Sequence, residues 1–293
     1  MHTVTLLTNS AMYLDRALVT NLQDAMNGGE PVWLNPNHAA EFEIPKIPRS
    51  ISNVFENLNA EGVDIVVQKT KDRRKQVLLA DMDSTMIQQE CIDELAAEAG
   101  VGDRVAAITK RAMNGELDFE AALRERVGLL KGLSESVIAD VLAKRITMMP
   151  GGATLVATMK ANGAYTALVS GGFTAFTSAI AAKLGFDENR ANTLVAENGT
   201  LTGTVTNPIL GREAKVEALH DITKSRGLKP ADVLAVGDGA NDLGMLDLAG
   251  TGIALHAKPT VQEQAKHRIN HGDLTALLYI QGYTKDEFVD GKT

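Results

Sequence analysis

A single cysteine, Cys91, serves the whole of this 293-residue chain. An intramolecular disulfide is therefore excluded, and so is a metal centre built on thiolates. Basic charge is also short: 29 Lys and Arg stand against 37 Asp and Glu, a formal charge of -8. That balance disfavours non-specific nucleic-acid binding and leaves no basic face for an anionic membrane. No apolar run is long enough to span a bilayer, and the opening Met1 to Thr8 has neither a basic lead nor a long apolar stretch. The expectation is a cytoplasmic protein with no nucleic-acid or membrane partner. No strand candidate is followed by Gly-x-Gly-x-x-Gly, which argues against a dinucleotide site. What is present is ordinary for a globular protein, 44% hydrophobic and 23% charged, with length for about two domains.

The most informative stretch is Gln76 to Gln89. Val77 to Ala80 is a short apolar run, the pattern of a strand buried on both faces. Asp81 and Asp83 follow where that strand ends, and Thr85 comes two residues later. In open α/β sheets, ligands bind at the carboxyl ends of the strands. Two acids so close repel each other unless a cation lies between them or one holds a proton. The pair thus suits a hard divalent cation or a general acid. Standing alone, Asp-x-Asp-x-Thr also reads as a polar turn with a helix cap.

Residues 1–72 read as a separate unit with element order βαββαβ, the ferredoxin-like arrangement. Its expected role is a stabilising or dimerising module, so a homodimer through this unit is one expected assembly. Lys69 to Lys75, with five basic residues among seven, reads as a solvated linker. Residues 73–89 and 148–283 carry strands alternating with helices, which indicates a doubly wound parallel sheet. Between them, residues 90–147 are helical throughout, an insertion placed to lie over the carboxyl edge of the sheet as a cap. Residues 284–293 read as a frayed polar tail.

Two further apolar strands end in chemistry-bearing loops. Thr166 to Val169 leads to Ser170-Gly171-Gly172, and Val233 to Val236 leads to Gly237-Asp238-Gly239-Ala240-Asn241-Asp242. If the three strands are neighbours, four carboxylates, a hydroxyl and glycine-rich turns with free N–H groups converge. Such turns cradle phosphate oxygens, and the carboxylates suit Mg²⁺. Arg126 shares a helix face with Phe119, Leu123 and Leu130; a guanidinium on an apolar stripe is either a snorkelling side chain or a clamp for a carboxylate or a phosphate. Lys215 by itself reads as a solvated lysine, Glu90 as a helix-start acid and Met113 as core.

Taken together, these motifs resemble the haloacid dehalogenase superfamily, and within it the phosphoserine phosphatases. Asp81 to Thr85, Ser170 to Gly172, Lys215 and Gly237 to Asp242 are similar to that superfamily's four motifs in order. Gln89 to Glu94, Met113 to Gly115, Phe119 and Arg126 are similar to the phosphoserine phosphatase cap. The resemblance implies an HAD-like core that hydrolyses the small molecule O-phosphoserine. It implies Asp81 as nucleophile, Asp83 as acid and base with a pKa raised by Asp81 and burial, and Mg²⁺ held by Asp81, the Asp83 carbonyl and Asp238. Ser170, Gly171, Lys215 and Asn241 are implied to bind the phosphoryl group, with Thr85 and Asp242 in support. Glu90 is implied to hold the substrate ammonium, Arg126 its carboxylate, and Met113 and Phe119 the apolar side of the pocket. Competing readings are another small phosphorylated amino acid, transfer to an alcohol acceptor, or a non-catalytic phosphoacceptor.

Overall fold

The computed structural model describes residues 1–113 and 116–291; of Met113 only the backbone is described. The chain begins with β1 (His2–Leu7), α1 (Arg16–Ala25), β2 (Val32–Asn35), β3 (Ala39–Ile44), α2 (Ile51–Ala60) and β4 (Asp64–Lys69). Asp15 starts α1 by accepting the Ala17 N–H at 2.8 Å, an N-cap of the usual kind. The strands form an antiparallel sheet in the order β2-β3-β1-β4, which is ferredoxin-like. Strand alternation sends Val4, Leu6, Phe42 and Ile65 to one face, where they pack with Val19 of α1 and Leu58 of α2.

The opposite face of this sheet is not free. Leu7, Leu34, Ala39 and Val66 belong to the apolar cluster of the larger unit, and Thr3 and Thr5 are buried between them. Polar contacts fasten the same face. The Gln68 amide donates to the Ile280 carbonyl at 2.5 Å and the Asn35 amide to the Tyr279 hydroxyl at 2.8 Å. At the edge of β4, the buried Asp64 carboxylate accepts three consecutive backbone N–H groups, from Asn270, His271 and Gly272, at 2.7, 3.0 and 2.7 Å.

The second sheet is built from β5 (Val77–Ala80), β6 (Tyr165–Phe173), β7 (Glu188–Asn192), β10 (Val233–Gly237), β11 (Thr251–Leu255) and β12 (His267–Ile269). All neighbours are parallel, in the order β12-β11-β10-β5-β6-β7. Leu79 of the central β5 is level with Ala167 of β6 and Ala235 of β10; β5 and β10 end close together, while β6 runs on to Phe173 through a break in register. Val77 and Leu79 face α9 (Arg212–Ser225) and α10 (Leu243–Leu248). Leu78 and Ala80 face α7 (Gly152–Ala161), α8 (Thr174–Leu184) and α12 (Ala276–Tyr279). The short α11 (Pro259–Gln262) lies beside the α9 face. This is a doubly wound sheet with an apolar core on each side.

The insertion after β5 holds α3 (Cys91–Glu98), α4 (Gly102–Met113), α5 (Phe119–Gly128) and α6 (Ser136–Lys144). The two chain segments joining it to the sheet pair with each other: Gln88 N–H donates to Thr147 O and Met149 N–H to Met86 O, both at 2.9 Å. A two-stranded hairpin, β8 (Leu194–Glu197) and β9 (Thr200–Val205), turns through Asn198 and Gly199, both at positive φ. It clips the cap from the side, where Gly132 and Leu201 as well as Glu135 and Gly199 share backbone hydrogen bonds.

Three expectations need correction. The segment Lys69 to Lys75 is only in part a solvated linker: Lys69, Lys71 and Asp72 are exposed, but Arg73 makes a bidentate, half-buried pair with Glu41 at 2.6 and 2.9 Å, and Arg74 stacks on Tyr283 and pairs with Glu287. The end of the chain is not frayed through its described part, because Phe288 packs on Tyr279 and the Val289 N–H donates to the Thr158 hydroxyl. Strand β7 is absent from the sequence reading because Glu-Asn-Arg-Ala-Asn lacks an apolar run; as an edge strand it has one side to solvent. No helix among the described residues is long and apolar enough to cross a membrane.

Candidate active site

Strand β5 delivers Asp81 to the carboxyl edge, and its N–H still bonds across to Val236 O at 3.0 Å. The chain then turns sharply. Ser84 adopts a left-handed conformation at φ 54°, and the Thr85, Met86 and Ile87 N–H groups all return to the Met82 carbonyl. This turn aims Asp81 and Asp83 into the same cavity. Asp81 Oδ1 accepts the Met82 N–H at 2.8 Å and lies 2.7 Å from Lys215 Nζ. Lys215 also touches Asp242 Oδ1 at 2.5 Å. Lys215 is 1% exposed, so it is not the solvated lysine that its helix pattern suggests in isolation; burial pulls its pKa down, and Asp242 and Asp81 together hold it above the usual range.

The neighbouring strand ends are shaped by glycine. A Cβ on Gly172 would lie 2.8 Å from Asp83 Oδ2, and one on Gly237 would lie 2.3 Å from the Asp242 carboxyl carbon. Ser170 is buried, with its Oγ accepting the Gly172 N–H at 2.9 Å. Asn192 of β7 pins this loop: its amide donates to Gly171 O at 2.9 Å and Leu210 O at 3.1 Å, and its Oδ1 accepts the Leu210 N–H. From the cap, the Phe119 ring rests on Gly171 and Gly211; a Cβ at either would come within 3.1 or 3.2 Å of it.

Burial sets the electrostatics. Asp81 is raised well above the usual carboxylate range by burial and then by Asp242, against the pull of Lys215. Asp83 is raised to about 7 by burial and by Glu90; the raising neighbour is thus Glu90 rather than the expected Asp81. Asp238 is raised to about 6, again by burial first and Asp242 second. Glu90 opens α3 and accepts the Ser84 hydroxyl at 2.7 Å. On α5, the Arg126 Nε donates to Ala122 O at 3.2 Å, and burial lowers its pKa.

One cavity of about 740 Å³ is lined by Asp81, Asp83, Glu90, Phe119, Arg126, Ser170, Gly171, Asp238 and Asn241. Lys215 and Asp242 form its buried support against Asp81. Thr85 is not brought to the cavity wall; it is fully buried and its hydroxyl has no partner among the described residues. The Met113 side chain, with Asn114 and Gly115, lies outside the described residues. Sequence reasoning missed Ser84 and Asn192, and also Lys258, whose Nζ is 3.9 Å from Asp238 Oδ2. Only Ser84 had a signal, its place inside the Asp-x-Asp turn.

The donor set fits a divalent cation. Carboxylate oxygens of Asp81, Asp238 and Asp242 lie within 4.8 Å of one another; Lys215 braces Asp81 and Asp242 at 2.7 and 2.5 Å, and Lys258 stands 3.9 Å from Asp238. Hard oxygen donors with uncompensated negative charge are what Mg²⁺ takes. The Asp83 side chain is outside this trio. His267 and His271 stand four apart, but on an extended strand and its following loop, and no metal-type group among the described residues includes them.

Fold and site define an α/β protein with an acidic, lysine-braced cleft at the carboxyl edge of its sheet, closed by a helical cap. The haloacid dehalogenase-like hydrolase family model matches residues 78–247, and the chain belongs to that family. It is 46% identical over 230 residues to a phosphoserine phosphatase of Streptomyces coelicolor, an alignment covering 78% of this chain and 56% of that protein. The chain thus spans little more than half of that relative's length. A haloacid dehalogenase family hydrolase from Salmonella enterica serovar Typhi superposes with TM-score 0.85 at 32% identity, over 96% of this chain and 98% of that one. A substrate-bound phosphoserine phosphatase superposes with TM-score 0.66 at 43% identity, over 72% of this chain and 99% of that one.

Proposed function

We propose that this chain hydrolyses O-phospho-L-serine to L-serine and phosphate, in the cytoplasm, through an aspartyl-phosphate on Asp81. The observation that carries this reading is one cavity lined by two chemically different sets of side chains. Asp81, Asp83, Ser170 and Gly171 suit a phosphoryl group, while Glu90 and Arg126 suit the ammonium and carboxylate of an amino acid. The phosphoserine phosphatases among the relatives support the same substrate.

The roles follow from the contacts. Lys215 and the Met82 N–H both engage Oδ1 of Asp81, which leaves Oδ2 to attack phosphorus as the bond to the seryl oxygen breaks. Asp83, with a pKa of about 7, holds a proton for the departing oxygen. It later takes one from the water that attacks the aspartyl-phosphate, and Asp81 is regenerated. Lys215 keeps the nucleophile in place and neutralises part of the buried charge. The Ser170 loop presents its hydroxyl and backbone N–H groups to the phosphoryl oxygens. Mg²⁺, when bound by Asp81, Asp238 and the Asp83 carbonyl, would offset the charge of the phosphate. Phe119 packs against Gly171 and supplies an apolar side of the cavity. A homodimer through the N-terminal unit has the β2 edge and the outer helices to use, since the second face of that sheet is already covered.

The test is phosphate release from O-phosphoserine, O-phosphothreonine and an aryl phosphate, with Mg²⁺ and with a chelator. The expected result is Mg²⁺-dependent turnover with the highest kcat/KM for phosphoserine. A stable phosphoprotein without turnover, or equal kcat/KM on all three substrates, overturns it.

A further inference from the structure

Thr109 lies in α4 of the cap, and its side chain lines the same cavity as Arg126 and Phe119. Its hydroxyl oxygen is shut away from solvent and has no hydrogen-bond partner among the described residues. A helical threonine commonly returns its hydroxyl to the carbonyl four residues back. Thr20 does so to Arg16, and Thr223 to Leu219. Thr109 does not, and a buried polar group left unpaired is a standing cost that binding can relieve.

On the next helix, Arg126 presents a similar incompleteness. Its Nε is fixed to the Ala122 carbonyl, and its two terminal nitrogens have no acceptor among the described residues. The cap wall therefore holds a guanidinium edge and a hydroxyl, both donors without acceptors. A carboxylate offers about four acceptor positions, of which a bidentate guanidinium uses two. The ammonium of a substrate has acids of its own on this wall, Glu90 and Asp93, and does not require a hydroxyl.

We infer that Thr109 is a specificity-determining residue that donates its hydroxyl to the substrate carboxylate beside Arg126. This rests on the amino-acid phosphate reading of the cavity and names a contact that reading lacks. Binding includes a χ1 rotation, since threonine in a helix divides between two χ1 wells and the unliganded hydroxyl is turned out of reach of water.

The test is Thr109→Val, which keeps the shape and removes the hydroxyl, with Thr109→Ser to restore it. Four probes divide the contact: KM for phosphoserine, KM for an aryl phosphate, and inhibition constants of phospholactate (carboxylate without amine) and phosphoethanolamine (amine without carboxylate), both read against the aryl phosphate. The expected result is a weakening of about tenfold for phosphoserine and phospholactate, the scale of one lost hydrogen bond to a charged group. Phosphoethanolamine and the aryl phosphate stay within about twofold, kcat is held, and the unliganded Tm is unchanged or higher because the orphaned hydroxyl is gone. Thr109→Ser recovers the phosphoserine KM. An equal effect on all four probes, a lower Tm without discrimination, or a penalty confined to the amine-bearing probes overturns the inference alone. Parent turnover of the aryl phosphate without any of phosphoserine overturns the proposed substrate, and this contact with it.

Discussion

Asp64→Asn tests how the N-terminal unit is held. Asp64 is 4% exposed and receives three consecutive backbone N–H groups, one on Oδ1 and two on Oδ2. Asparagine keeps only one acceptor oxygen and turns the other position into an NH₂ that faces a backbone donor. In its better orientation it retains two bonds, now neutral, and loses the third. Hydrogen bonds to a charged group contribute about 1.5–3 kcal/mol against about 1 for neutral ones, and the abandoned N–H adds its own desolvation. The sum is a loss of about 4–10 kcal/mol. At about 2 °C per kcal/mol for a chain of this size, the midpoint falls by about 8–20 °C. The assay is thermal unfolding followed by far-UV ellipticity and by the fluorescence of the single tryptophan, Trp33, which reports on β2 of this unit. The tryptophan signal is expected to change ahead of the ellipticity in the variant and together with it in the parent. A midpoint within about 2 °C of the parent, with both signals still coincident, would refute the reasoning and leave the attachment to apolar contacts alone.

Two further predictions concern the cavity. Asp81→Asn should lower kcat by more than about a thousandfold while leaving Tm unchanged or raised, because it removes one of several buried acids that raise each other's pKa; a rate above one tenth of the parent's rejects Asp81 as nucleophile. Arg126→Ala should raise KM for phosphoserine by roughly thirtyfold or more, the scale of a lost charge-assisted pair, and leave KM for an aryl phosphate nearly unchanged. Since Arg126 makes only the Nε bond to Ala122 among the described residues, stability should move by less than about 1 kcal/mol. Equal changes on both substrates would make Arg126 a packing residue.

What the sequence discloses follows from how far each signal must travel along the chain. The chemistry was legible because each motif closes an apolar run: Val77 to Ala80 into Asp81, Thr166 to Val169 into Ser170, Val233 to Val236 into Asp238. Parallel pairing of β10, β5 and β6 then brings the three ends together with no further information. The fold class was legible for the same reason, since alternating strands and helices admit few topologies. Supporting residues carry no such local mark. Asn192 lies on a polar edge strand with no apolar run, and its role depends on where Gly171 and Leu210 arrive from elsewhere. Asp64 reads as one acid before Ile-Val-Val; only the docked loop at residues 270–272 makes it a fastening. The charged run at Lys69 to Lys75 misleads because arginine stems and forks bury readily when an acid or a ring lies opposite, and Glu41 and Tyr283 come from distant segments. Lys215 stands between the two cases. Its helix pattern argues for solvent, and only the convergence of Asp81 and Asp242 turns a surface lysine type into a buried cation. Residues that line the cavity announce themselves at strand ends, whereas residues that hold them in place become visible only once the chain has folded back on itself.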